Sequence, residues 1–231
     1  MKLYILNLGK VEVKGTTILA NSLLPRVAVP SWAALIQTDD GRYILYDVGC
    51  DNDPAALGTM KWIHTEEETI KGQLNLLGLT FDDISLVILS HLHYDHCGSI
   101  GHFRHKPIYV PDYGWAKDAP IPLILTGCCF QKIDKDFDLD KNIRVICLPG
   151  HTPNLLGLQI TLSSGSYLLP SDAIYTPENE VVPPAHCSSL DNYFASHQKL
   201  KGIQEKYHAT ILYPHSSEAF DNMRKAPDFY W

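Results

Sequence analysis

Seven consecutive residues, Ser90-His91-Leu92-His93-Tyr94-Asp95-His96, constrain this chain more than any other feature. Three imidazoles and a carboxylate fall within six positions, directly after the apolar run Leu86-Val87-Ile88-Leu89. Neutral imidazole and carboxylate suit borderline divalent metals, zinc first, and iron, manganese or cobalt can use the same donors. Along an extended segment His91, His93 and Asp95 alternate, whereas His96 follows Asp95 at once and faces elsewhere. One segment can then serve two cations, His91 and His93 on one, Asp95 and His96 on the other. A two-metal site activates water and clamps the oxygens of a reaction centre. The bland alternative is a solvated or adventitious histidine cluster, and eleven histidines in 231 residues give it some room.

Donors further along tell against that alternative. His151 stands in Leu148-Pro149-Gly150-His151-Thr152-Pro153, Asp172 in Leu168-Leu169-Pro170-Ser171-Asp172-Ala173, and His215 in Ile211-Leu212-Tyr213-Pro214-His215-Ser216. Each follows a short apolar run that reads as a strand. Loops at strand ends, held by a rigid sheet, are where catalytic groups concentrate.

Composition narrows the function. A net charge of −7 argues against a nucleic-acid role that depends on a basic surface. No apolar run reaches the length of a membrane span. The start, Met1-Lys2-Leu3-Tyr4-Ile5-Leu6-Asn7-Leu8, is too short and interrupted for a signal peptide, so a cytoplasmic protein is expected. Six cysteines show no zinc-ribbon or redox spacing and read as reduced thiols; Cys97, beside His96, is a candidate to line the site.

Strands are predicted over 3–8, 33–38, 42–47, 86–89, 107–110, 143–148, 156–162, 167–169 and 211–213, with a hairpin at Asp39-Asp40-Gly41. Thr65-Glu66-Glu67-Glu68 reads as a capping box opening a helix whose Ile70, Leu74 and Leu77 share a face and which Gly78 ends. A second helix is predicted over 192–207 after Ser188-Ser189-Leu190-Asp191, with His197 on its packed face rather than a ligand. No repeat, low-complexity tract or linker divides the chain. Strand runs followed by helices, twice over, suit two mixed sheets packed face to face with helices outside.

At this point the chain resembles the metallo-β-lactamase superfamily, whose signature is H-x-H-x-D-H followed by a distant His, Asp and His. Within it the chain is most similar to the N-acyl homoserine lactonases, on Tyr175 three residues after Asp172 and on the ending Ala226-Pro227-Asp228-Phe229-Tyr230. The resemblance implies an α/β (α+β) fold, an αβ/βα sandwich, as one metallo-β-lactamase-like domain over 1–231. It implies that His91, His93 and His151 hold one divalent metal, that Asp95, His96 and His215 hold a second, and that Asp172 bridges them. It implies a hydrolase whose metal-bridging hydroxide opens a lactone ring, most simply an N-acyl homoserine lactone. Tyr175 would donate to the carbonyl oxygen and Asp95 would relay the proton to the leaving alkoxide. Asp47, in Tyr46-Asp47-Val48-Gly49, would orient a ligand imidazole, and Tyr94 would edge the pocket. Leu24, Val27, Trp32, Trp62, residues 120–125 and residues 128–130 are apolar candidates for an acyl-chain wall. The assembly implied is a monomer or homodimer taking a small lactone or ester.

Three positions depart from the family pattern. Asn154 follows Thr152-Pro153, Ser171 precedes Asp172, and Pro214 precedes His215, each where glycine is common. The stretch 113–126 is short for the lactonases. The competing readings are a hydrolase of another lactone, ester or thioester of the glyoxalase II type, an iron-dependent oxidoreductase of the same fold, and a non-enzymatic metal binder. Glyoxalase II would carry a basic C-terminal substrate domain, whereas this chain ends soon after His215.

Overall fold

The computed structural model describes residues 1–50, 60–114 and 122–231. Its first sheet is built from β1 (Lys2–Lys14), β2 (Arg26–Gln37), β3 (Tyr43–Tyr46), β4 (Lys61–Ile63), β5 (Ile84–Ile88), β6 (Pro107–Pro111) and β7 (Cys129–Ile133). The second comprises β8 (Phe137–Asp140), β9 (Ile143–Cys147), β10 (Leu156–Leu162), β11 (Gly165–Leu169) and β12 (Thr210–Ile211). Spatial order is β4-β1-β2-β3-β5-β6-β7 in the first and β12-β11-β10-β9-β8 in the second. Among the described residues five α-helices accompany them: α1 (Gly15–Ile18), α2 (Ile70–Leu76), α3 (Tyr94–Cys97), α4 (Leu190–Tyr207) and α5 (Ser217–Asn222).

Side-chain alternation explains the layering. Leu3, Ile5, Ala34, Ile36, Ile44, Tyr46 and Ile88 face the second sheet, where they meet Val145, Leu156, Leu158, Ile160 and Leu169 in one core. Their neighbours Tyr4, Leu6, Ala33, Leu35, Leu45 and Val87 point the other way, onto Ile70 and Leu74 of α2. Ile146, Leu148 and Leu168, on the outer face of the second sheet, pack on Leu200 of α4. The strands are therefore apolar on both faces, as sheets covered on both sides require. The result is the four-layer αβ/βα sandwich.

Strand direction gathers the ligand loops. β3, β5 and β6 run parallel to one another, so the segments after β3 and β5 leave at one edge. β9 and β11 are each antiparallel to β10, and β12 is parallel to β11. β9, β11 and β12 therefore share a direction, and the loops carrying His151, Asp172 and His215 leave together. Crevices beyond carboxyl ends of strands are the usual place for ligands in such sheets.

Several expectations are met closely. The hairpin turns at Gly41 (φ +86°), with Thr38 N donating to Arg42 O at 3.0 Å. α4 starts at Leu190, within the expected start signal, with Ser189 Oγ accepting from Asn192 N. Others need correction. The helix expected to open at Thr65 opens at Ile70, capped by Thr69 Oγ1, which accepts from Gly72 N at 3.0 Å. The reason is Glu68: its carboxylate accepts from Thr65 N (2.9 Å) and Asn7 Nδ2 (3.0 Å), which holds 65–68 as a separate turn. Nor does the metal-rich segment stay extended. His93 caps the short helix Tyr94–Cys97, so helical rotation, rather than alternation, separates Asp95 and His96 from His91 and His93. β4, β7, β8 and α5 have no counterpart in the sequence reading.

One buried contact ties the sheets together directly above the site. Tyr46, 2% exposed, donates its hydroxyl to Leu156 O at 2.7 Å, with Leu169 O at 3.3 Å. Tyr46→Phe should cost about 1–2 kcal/mol and lower the midpoint of thermal unfolding by several degrees. An unchanged midpoint would mean that this bridge between sheets contributes nothing.

Candidate metal centre

Asp172 sits at the middle of the gathered loops. It follows β11 in a 3-10 turn over Ser171–Ala173 and is 3% exposed. Its two oxygens face different partners. Oδ1 lies 3.1 Å from His96 Nε2 and 3.2 Å from His215 Nε2. Oδ2 lies 3.4 Å from His151 Nε2 and 3.5 Å from His91 Nε2. Asp95 Oδ2 approaches the first pair, 3.6 Å from His96 Nε2 and 3.9 Å from His215 Nε2. His93 Nδ1 joins the second, 2.9 Å from His151 Nε2. Two donor groups result, His91, His93, His151 and Asp172 on one side and Asp95, His96 and His215 on the other.

The donors fit two divalent cations. Among the described residues eight buried side-chain nitrogen or oxygen atoms have no hydrogen-bond partner, and four belong here: His91 Nε2, Asp95 Oδ1, His96 Nε2 and Asp172 Oδ1. Orphaned buried polar atoms are costly and uncommon. Four within the two donor groups, from imidazole and carboxylate, are what cation coordination would satisfy.

A second ring of contacts fixes which imidazole nitrogen is bare. His96 Nδ1 lies 2.8 Å from Asp47 Oδ2, so it carries the proton and donates. His215 Nδ1 donates to Pro30 O at 2.9 Å. Ser90 N and Oγ both donate to Asp47, at 2.7 and 2.8 Å, leaving Ser90 Oγ to accept from His91 Nδ1 at 3.0 Å. In all three rings Nε2 is then the free lone pair aimed at Asp172. Asp47 thus touches the donor His96 directly and also anchors the strand end that carries His91.

The electrostatics follow from burial and from the carboxylates. Burial pushes His91 well below its ordinary value, and holds His151 down to about 4. For His96 and His215 burial acts the same way but is outweighed, chiefly by Asp172, so both are raised. Asp172 is held well below the carboxylate range despite its burial, by His96, His215 and His91.

A cavity of about 180 Å³ opens over the donors, lined by Tyr94, Tyr175 and His186 and by the apolar Val11, Val13, Ile18, Val29 and Met60. Tyr175, 3% exposed, places its hydroxyl 3.3 Å from His151 Nδ1, and its ring packs between His151 and His215. Burial, with Asp172 next, raises its phenol well above the ordinary value, so it stays protonated.

The apolar wall differs from the expected one. Trp32 belongs to the core between the sheets and Leu125 to the core under α2. Leu24 is exposed, and Val27 and Trp62 pack behind the wall against Val11, Val13, Ile18 and Val29. Residues 120 and 121 lie outside the described residues, as does half of the short 113–126 stretch, from 115 to 121. The wall comes from β1, β2 and α1 instead. The alternating Lys10-Val11-Glu12-Val13-Lys14 carried that signal. Cys97 is buried against the α2-side core, and burial raises its thiol. His197 lines no metal group; its Nε2 donates to Ala173 O at 2.7 Å.

The metallo-beta-lactamase superfamily model matches residues 26–218. The chain belongs to that superfamily. Two relatives span it end to end. The N-acyl homoserine lactonase of Bacillus thuringiensis is 30% identical over 247 residues, 99% of this chain and 98% of that protein. The N-acyl homoserine lactonase AiiB of Agrobacterium fabrum is 29% identical over 275 residues, 100% of this chain and 99% of that protein. Both alignments are longer than this superfamily member, so both relatives carry segments that it lacks. A solved N-acyl homoserine lactone hydrolase, with the product N-hexanoyl-L-homoserine at its catalytic metal centre, superimposes with a TM-score of 0.88. That pair shares 27% identity over 99% of this chain and 98% of the other.

Because Asp172 faces both donor groups, Asp172→Ala should remove at least one of two bound cations. Elemental analysis after dialysis reads this directly; two retained equivalents per chain would contradict the bridging arrangement.

Proposed function

We propose that the protein is a dinuclear metal-dependent hydrolase that opens N-acyl homoserine lactones. The observation that carries this reading is the division of Asp172 between two donor groups, beneath an apolar cavity that Tyr175 enters. Full-length similarity to lactonases supports the substrate class. His91, His93 and His151 are assigned to one cation, Asp95, His96 and His215 to the other, and Asp172 to both. Zinc is our first assignment, since four-coordinate zinc favours imidazole and carboxylate donors; iron, manganese and cobalt accept the same set. When bound, such a pair supplies Lewis acidity, lowering the pKa of water from near 16 to about 7 and polarising a carbonyl.

The chain's own groups do the rest. With His151 Nε2 turned to Asp172, its Nδ1 carries the proton and donates to the Tyr175 oxygen, which leaves the Tyr175 proton free to point into the cavity. Tyr175 donates that hydrogen bond to the lactone carbonyl oxygen as negative charge develops there. Asp95, with an unpartnered oxygen on the leaving-group side, takes up the proton released from the attacking water and returns it to the ring oxygen as the ester bond breaks. Val11, Val13, Ile18, Val29 and Met60 take the acyl chain and keep bulk water off the reacting carbonyl.

One chain supplies every assigned ligand, so a monomer suffices, and a homodimer would need no shared residue. We read residues 1–231 as one domain, since Leu3 near one end and Tyr230 near the other join the same core. No helix among the described residues is long and apolar enough to cross a membrane. The six cysteines form no disulfide with one another, and we assign the protein to the cytoplasm on that ground.

The test is proton release on adding hexanoyl homoserine lactone to zinc-reconstituted protein. Ring opening should be abolished by chelation and restored by metal. Tyr175→Phe should lower kcat by about 10²-fold with two cations retained, the usual cost of one oxyanion donor. No opening by protein carrying two metals would sink the lactone assignment and favour another lactone, an ester or a thioester.

A further inference from the structure

Three non-glycine residues among those described hold a left-handed backbone: Asp47 (φ +60°), Ser171 (φ +48°) and His208 (φ +49°). His208 is the C-cap of α4, where that conformation is ordinary. Neither Asp47 nor Ser171 ends a helix. Both belong to one buried hydrogen-bonded chain behind the metal centre. Backbone strain persists where surrounding contacts over-determine it, and it clusters at functional sites.

The return for Asp47 is its three hydrogen bonds to Ser90 and His96. Ser171 calls for a separate account, because glycine would relieve its backbone and fit the same turn. Its hydroxyl donates to Ser90 Oγ at 2.8 Å. Ser90 Oγ in turn donates to Asp47 Oδ2 at 2.8 Å and accepts from His91 Nδ1 at 3.0 Å. A serine hydroxyl offers one proton and two lone pairs. Ser171 supplies the third close partner of Ser90; His96 Nδ1 approaches the same oxygen only at 3.4 Å. Through this single oxygen the residue before Asp172 is tied to the strand end that carries His91 and to the carboxylate that orients His96. The two amide bonds that would hold the loop locally are long, Ala173 N to Pro170 O and Ile174 N to Ser171 O, both 3.3 Å.

We propose that Ser171 is a positioning residue for the metal centre, its hydroxyl locking the Asp172 loop to Ser90 so that Asp172 stands between the two donor groups. The inference rests on the two-cation reading of the site and is independent of which substrate is hydrolysed. Ser171 touches no reacting atom; it acts through Ser90 and through the carboxylate that follows it.

Two substitutions separate this role from an idle hydroxyl on a strained turn. Ser171→Gly removes both the hydroxyl and the strain, whereas Ser171→Ala removes the hydroxyl alone. Each variant is loaded with zinc and titrated with a graded chelator, reading cations retained per chain. Thermal midpoints of the metal-stripped proteins are measured beside them. We expect both variants to bind at least one cation about tenfold more weakly, the range typical of outer partners of metal ligands. We expect the stripped glycine variant to melt close to wild type, because relief of the left-handed backbone offsets the lost hydroxyl hydrogen bond. Weaker metal binding in a protein that is no less stable is a result that a merely structural serine cannot produce. If Ser171→Gly holds both cations as tightly as wild type, the proposal is overturned, whatever the alanine variant does. Hexanoyl homoserine lactone turnover is followed in parallel. Absence of turnover in wild type, alongside metal loss in the glycine variant, would fail the lactone reading and leave this one standing.

Discussion

Asp172 divides its two oxygens between two pairs of imidazole nitrogens, and the rest of the molecule is arranged around that division. A carboxylate at 3% exposure is heavily penalised unless charge or hydrogen bonding compensates it. His96 and His215 stand at 3.1 and 3.2 Å from one oxygen, while His91 and His151 stand at 3.5 and 3.4 Å from the other. No single segment of chain could present four rings in that way. They arrive from three loops, after β5, β9 and β12, and Asp172 from a fourth, after β11; these loops leave one edge of the sandwich because β9, β11 and β12 run one way and β3 and β5 run parallel to each other.

The sheets act as the rigid frame for this constellation, and the contacts behind it are as ordered as those in front. Asp47, Ser90, Pro30 and Tyr46 carry no ligand atom. Three of them set the tautomer of a donor ring, directly or through one hydroxyl, and Tyr46 clamps the two sheets above. Such precision is expected where Lewis acids and a proton donor must meet one carbonyl, since small misplacements cost large factors in rate. The cavity side of the site is by contrast largely apolar, with Tyr175 and Asp95 among its polar lining residues.

The architecture was legible in the sequence where chemistry and burial agree. Leu156–Leu162 carries Leu156, Leu158, Ile160 and Leu162 at alternate positions, and its predicted limits coincide with β10. β8 was hidden because Asp138 and Asp140 alternate with Phe137 and Leu139, so a half-exposed edge strand reads as an acidic loop. The helix start at Thr65 failed for a different reason. Its local capping pattern is present, but Asn7, distant in sequence, takes the other oxygen of Glu68 and turns the motif into a separate bend. The cavity wall was misassigned because apolar residues were counted without knowing which core they enter. Trp32 and Leu125 are as apolar as Val11 and Val13 but face inward.

The sequence by itself determined the donor types and their loops: imidazoles and carboxylates, each placed just after an apolar strand, in numbers that suit two cations. It also supplied the superfamily, because the spacing of His91, His93, Asp95 and His96 is local and survives without coordinates. Only the tertiary structure decided which oxygen of Asp172 meets which ring, which nitrogen of each ring is bare, and why Ser171 keeps a side chain on a left-handed turn. Those outcomes depend on pairs such as Asp47 with His96, Pro30 with His215 and Ser90 with Ser171, residues 49, 185 and 81 positions apart. Hydrogen bonds act over about 3 Å, and sequence spacing carries no information about such approaches until the sheets have packed.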